Sequence, residues 1–155
     1  MGRTYEEISL GEKFVTPGRT ITEADVVAFA GLTGDYNSIH TDEEYSRKFS
    51  IFKTRIAHGL LAFSIAEGLF CRLGWFDTVP AISIGYEELK FLKPVLIGDT
   101  IRFEGEVTEK RESKSRRGWG IIKTKVIGRN QRGEQIMEFT HSYLVPKREV
   151  LEVMK

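Results

Sequence analysis

The run RIAHGLLAFSIAEGLFCRLGWF, residues 55–76, limits what this chain can fold into more than any other stretch. Ile56, Ala57, Leu60, Leu61, Phe63, Ile65, Ala66, Leu69, Phe70 and Leu73 leave little polar surface around a helix drawn through it. A helix that is apolar nearly all round has to be buried on most sides. The run is too short and too punctuated for the roughly 20 apolar residues of a membrane span. The rest of the chain must therefore supply a cover for it.

The cover is legible downstream. After Pro80 the pattern becomes strand-like. Ile101, Phe103, Gly105 and Val107 alternate with polar residues, as do Ile122, Thr124 and Val126, the signature of half-buried antiparallel strands. Pro94, Gly98-Asp99 and Asn130-Gln131-Arg132-Gly133 carry turn chemistry between the runs. Phe14-Val15 to Thr20-Ile21 adds an N-terminal strand. The expected class is α+β: one long buried helix wrapped by an antiparallel sheet of about five or six strands.

Without repeats or a Pro/Ser-rich linker, the 155 residues are expected to form one domain, 1–155. A formal charge of +1 gives no global case for nucleic acid or an anionic membrane surface. The one cysteine, Cys71, cannot form an intrachain disulfide and sits in the apolar run, where it reads as buried filler. The N-terminus lacks a secretory apolar segment, and Glu6 stands where a myristoylation signal wants Ser or Thr, so a cytoplasmic protein is expected.

Polar chemistry gathers before the apolar run. Thr22-Glu23-Ala24-Asp25 opens a helix whose stop positions are Gly31 and Gly34, and Thr41-Asp42-Glu43-Glu44 reads as a second capping box. Between them lies Gly34-Asp35-Tyr36-Asn37-Ser38-Ile39-His40, a loop presenting an acid, an amide and an imidazole. Asp and Asn are also ordinary turn residues, so the loop alone decides little.

The wider pattern does more. Asp35, Asn37 and His40, followed by Ala57-His58-Gly59-Leu60-Leu61 and by FLKPVLIGDT at 91–100, resemble the MaoC-like (R)-specific enoyl-CoA hydratase family, whose signature is D-x-N-P-x-H with a downstream A-H-G-M/L-L. Ser38 departs from it at the proline position. The resemblance implies a hotdog fold and reversible hydration of trans-2-enoyl-CoA to (R)-3-hydroxyacyl-CoA. It implies Asp35 and His40 as the catalytic pair acting on one water, and a homodimer or larger homo-oligomer. No cofactor is expected beyond the coenzyme A of the substrate, and no nucleic-acid or membrane partner.

Around that pair, Gly59 at the start of the buried helix is expected to offer its backbone N–H to the developing thioester oxygen. Asn37 is expected to hold the loop or a substrate amide. His58 reads as orienting the loop or touching substrate, and Ser64 as a helix-side hydrogen bond, a subunit contact or a lining of the acyl tunnel. Arg116 and Arg117, in the basic run 110–117, are candidates for the coenzyme A phosphates, with a solvated turn as the plain alternative. Asp35, His40 and His58 could also ligate a metal, but no zinc motif accompanies them. His141 reads as structural or surface, and Gly118-Trp119-Gly120 lacks the context of a dinucleotide loop.

Rival readings stay open. They are an acyl-carrier-protein-linked 3-hydroxyacyl dehydratase, a hydratase for branched or dicarboxylic chains, a hotdog thioesterase using Glu67, and a non-catalytic acyl-CoA-binding or regulatory protein.

Overall fold

Pro17 and Gly18 divide the expected N-terminal strand into β1 (Lys13–Val15) and β2 (Arg19–Thr20), since proline brings no N–H to a continuous ladder. The structure is a computed structural model describing residues 2–153. Four longer strands follow: β3 (Ile82–Phe91), β4 (Thr100–Glu112), β5 (Trp119–Arg129) and β6 (Gln135–Pro146). All pair antiparallel in the order β1-β4-β5-β6-β3, with β2 also on β4. The alternation read from the sequence sets the faces: Ile122, Thr124 and Val126 are buried, while Lys123 and Lys125 point away. The Asn130–Gly133 turn closes as expected, with the Gly133 N–H 3.0 Å from the Asn130 carbonyl and Gly133 at φ +79°.

The helices are α1 (Glu23–Thr33), α2 (Ser38–Thr41), α3 (Glu43–Phe49), α4 (Gly59–Cys71) and α5 (Arg148–Val153). Thr22 and Asp25 form the expected capping box on α1. That helix ends at Gly34 in the left-handed region, and Gly31 lies inside it. The second start signal shifts by one residue. Asp42, rather than Thr41, caps α3 by accepting the Tyr45 N–H at 2.8 Å. Thr41 is instead part of α2, its hydroxyl donating back to the Tyr36 and Asn37 carbonyls.

The apolar run is not one helix. Ile56 and Ala57 donate their N–H groups to the Ile39 and Val95 carbonyls, which holds residues 55–58 extended. Helix α4 then runs for 13 residues across the sheet. Its inner face is Leu61, Ala62, Ala66, Leu69 and Phe70. Phe70 is 6% exposed and packs edge-on against Phe14 (5.1 Å) and Trp75 (5.6 Å); burying such a ring contributes roughly 2–3 kcal/mol.

Burial is one-sided, which corrects the expectation of a helix covered nearly all round. Leu60, Ser64, Gly68 and Cys71 form an exposed stripe, so Cys71 is a surface thiol rather than core filler. Spacings of three and four residues place them on one face. Gly68 faces open space, whereas a Cβ on Gly59 would lie 2.9 Å from the Phe91 ring. Among the described residues no helix is long and apolar enough to cross a membrane.

Candidate active site

The motif loop is built by its own hydrogen bonds. Gly34 turns the chain out of α1, its N–H on the Ala30 carbonyl at 2.8 Å. The Asp35 carboxylate accepts the Asn37 N–H (3.2 Å), and the Asn37 side-chain oxygen accepts the Ile39 N–H (3.2 Å). These are successive Asx turns. Asn37 is thereby the N-cap of α2, and the loop expected between two helices contains a short helix of its own. That turn carries His40 inward until it is 8% exposed, while Asp35 stays open to solvent.

The extended strap 55–58 supplies the other side. His40 Nδ1 lies 2.7 Å from the Ile56 carbonyl. A carbonyl can only accept, so Nδ1 carries the proton and Nε2 keeps its lone pair. His58 Nε2 lies 3.0 Å from the Asp35 carbonyl and by the same reasoning donates to it. The two imidazoles stack, centroids 3.9 Å apart at 28°. His58 is 2% exposed and its Nδ1 has no protein partner. Burial lowers the His40 pKa, and the neighbouring His58 adds to the effect; the Ile56 carbonyl and Asp35 pull the other way. His40 is therefore held as a neutral base.

His58 is also the N-cap of α4, so Gly59 is the first residue of that helix. Among the described residues the Gly59 N–H has no backbone partner, as expected for a first helical turn. Asp35, His40, His58 and Gly59 all face one cavity of about 370 Å³, walled by Phe52, Phe91 and Met137 among others.

Asp35, His40 and His58 can bring ligand atoms within 4.8 Å of one another. The donor set is poorly shaped for an ion. Imidazole lone pairs lie in the ring plane, so stacked rings aim them side by side, whereas a metal needs them to converge at about 2.0–2.1 Å.

Two expected site groups are placed elsewhere. Ser64 is on the exposed stripe of α4, its hydroxyl donating to the Leu60 carbonyl at 2.8 Å, and it lines a separate groove with Arg19 and Arg72. Arg116 and Arg117 sit in the β4–β5 turn. From Trp119 beside that turn to Gly128, which pairs with Met137, β5 runs about 30 Å at ~3.3 Å per residue. In this chain they cannot reach the cavity. Glu67 is not in it either. Its carboxylate takes hydrogen bonds from Tyr86 (3.1 Å) and Tyr143 (3.3 Å) and faces His141 Nδ1 at 3.3 Å. His141 is buried, so it is not a surface residue. The sequence reading missed Phe52 and Phe91 as walls and Lys93 as a lining cation. The available signal was FLKPV, read as a strand leading into a turn and as part of the family resemblance, but not as a cavity wall.

Residues 6–130 match the MaoC like domain family model. Protein MaoC of Klebsiella aerogenes is 44% identical over 98 residues, which is 63% of this chain but 28% of that protein. The (R)-specific enoyl-CoA hydratase of Rhodospirillum rubrum is 38% identical over 104 residues, 67% of this chain and 69% of that one. The chain thus spans well under a third of the first relative and about two thirds of the second. Among solved structures, an Archaeoglobus fulgius protein described as a monoamine oxidase regulatory protein superposes with TM-score 0.86 at 37% identity, covering 94% of this chain and 95% of that one. A Mycobacterium tuberculosis protein described as a double hotdog fold superposes with TM-score 0.82 at 19% identity, covering 94% of this chain and 44% of that one. The fold is a hotdog: an α+β layer in which the antiparallel sheet wraps α4.

Proposed function

The chain belongs to the MaoC-like domain family, and on that premise we propose that it catalyses reversible hydration of a trans-2-enoyl-CoA to the (R)-3-hydroxyacyl-CoA. One observation carries the reading. The His40 Nε2 lone pair is left free by the Ile56 hydrogen bond, in the same cavity as the Asp35 carboxylate and next to an unpartnered helix N–H at Gly59.

In this reading a water bridges Asp35 and His40. His40 accepts its proton as the oxygen bonds to the β-carbon, and the pair returns a proton to the α-carbon. The Gly59 N–H, at the positive end of α4, receives the charge that develops on the thioester oxygen. Asn37 and His58 position the loop: one caps α2, the other holds the Asp35 carbonyl. No group beyond the thioester itself is needed.

The thioesterase alternative loses support because Glu67 lies outside this cavity, among tyrosine hydroxyls. An acyl-carrier-protein substrate would use the same chemistry. A purely regulatory role, such as the Archaeoglobus protein's description suggests, would leave the Asp35/His40 arrangement without a task. We also propose a homodimer. β3 is an edge strand exposing Ile82, Ile84 and Tyr86, a surface a second copy would cover; light scattering that returned the mass of a single chain would remove this idea.

The decisive experiment follows loss of the conjugated-enoyl absorbance of crotonyl-CoA, with Asp35→Asn beside the unaltered protein. The expected result is turnover that falls by about 10²-fold or more in the variant. Equal turnover by both proteins would overturn the assignment of the pair.

A further inference from the structure

With Arg116 and Arg117 at the far end of the sheet, the cavity has a different cation at its edge. Lys93 is the one lysine or arginine among the residues that line it. The apolar neighbours of Lys93 in that lining are unusually open: Leu60, Phe91 and Leu92 are 55%, 51% and 45% exposed. Phe52 completes the apolar rim. An apolar rim carrying an ammonium group suits a flexible apolar arm that ends in an anion.

Lys93 is also built to let go of its present partner. Its Nζ lies 2.7 Å from Glu134 Oε1. The other oxygen of Glu134 accepts separately from Asn130 (2.8 Å) and Arg132 (2.9 Å). Those two hydrogen bonds do not involve the oxygen that Lys93 uses, so the Glu134 carboxylate stays bonded when Lys93 swings away. The Lys93 side chain is 52% exposed and its ion pair lies at the surface, where such pairs bind weakly.

We propose that Lys93 recognises an anionic group on the thioester that enters this cavity. This rests on the reading of the cavity as a thioester site. The chemistry is a phosphate or a carboxylate contacted by an ammonium. It is met either by the phosphates of the carrier or by a carboxylate on the acyl chain. The residue therefore sets which thioesters bind and takes no part in the hydration step.

The test compares the unaltered protein with Lys93→Met and Lys93→Arg. Calorimetric binding of butyryl-CoA, which cannot be hydrated, gives a readout independent of turnover. Kinetics use crotonyl-CoA, crotonyl-pantetheine without phosphate, and a trans-2-enoyl-CoA with a distal carboxylate. A charged hydrogen bond of this kind predicts about a tenfold loss in Lys93→Met, largely restored in Lys93→Arg and expressed in KM rather than kcat. A fall in the ratio of kcat/KM for crotonyl-CoA over crotonyl-pantetheine identifies the carrier phosphate. A loss confined to the carboxylated chain identifies the acyl carboxylate. Equal weakening of all three thioesters, or of none, overturns the proposal. Butyryl-CoA binding that depends on Lys93, without turnover of any enoyl thioester, sinks the hydratase reading and leaves this one standing. Turnover in which neither butyryl-CoA binding nor KM for any of the three thioesters depends on Lys93 does the reverse, and neither binding nor turnover removes both.

Discussion

Replacing His141 by Gln should make the protein markedly less sensitive to acid. His141 is 2% exposed, on β6 opposite Tyr86 of β3 and Thr124 of β5. Its Nε2 lies 2.7 Å from the Ser83 hydroxyl and its Nδ1 3.3 Å from Glu67. Rings of Tyr86 and Tyr143 cover it at 4.0 Å and 3.8 Å. Burial lowers its pKa from 6.5 to about 4. A histidine depressed in the fold binds its proton more readily in the unfolded chain. Its contribution to stability is therefore present above pH 6.5 and is lost as the pH falls toward 4.

At 1.36 kcal/mol per unit, that window amounts to about 3 kcal/mol. Glu67, the carboxylate facing it, shifts the other way: burial raises its pKa against the Tyr86 and Tyr143 hydrogen bonds. Its term has the opposite sign, with stability lost as the pH rises through the raised value, and it stays in both proteins. A glutamine can donate to Glu67 and accept from Ser83 without titrating. Urea denaturation of both proteins from pH 7 to pH 4 should show the unaltered protein losing about 3 kcal/mol more than the variant. Parallel stability curves across that range would refute the reasoning.

Gly59→Ala would bring a Cβ to 2.9 Å from the Phe91 ring at the cavity wall. The expected outcome is displacement of that ring, a cost of about 1–3 kcal/mol in urea denaturation, and a loss of crotonyl-CoA turnover larger than this destabilisation explains. Asp99→Ala should cost about 2–3 kcal/mol by thermal or urea unfolding. The Asp99 side chain is 3% exposed and accepts from Arg132 (2.8 Å), Gln131 (2.9 Å) and the Leu96 N–H (2.9 Å). A neutral result would show that these donors find water instead.

How far the sequence could be read depended on whether each signal was local. The Thr22/Asp25 cap, the Asn130–Gly133 turn and the alternation of β4 and β5 are short-range patterns, and each is found where the residues predict it. The apolar helix begins at Gly59 as expected, but the extended strap before it is set by two backbone bonds, to Ile39 and Val95. Both partners are distant in sequence, so no window around residue 55 contains them.

The candidate site divides the same way. The identities Asp35, Asn37, His40, His58 and Gly59 were legible, because a motif is a pattern of residue types at fixed spacing. Their states were not. Which nitrogen of His40 holds the proton depends on the Ile56 carbonyl, 16 residues away. The place of Arg116, Arg117 and Ser64 outside the cavity, and of Lys93 on its edge, follows from strand register and helix phase. Composition cannot encode either.

The sequence by itself determined the class of fold, the order of its elements and the polar groups available for chemistry, because these depend on periodicity, capping and residue type. The tertiary structure alone decided which of those groups share a cavity, which face of α4 stays open and which imidazole nitrogen is free. Those are outcomes of long-range hydrogen bonding and burial, settled only once the strap at 55–58 is held between α2 and the loop before β4.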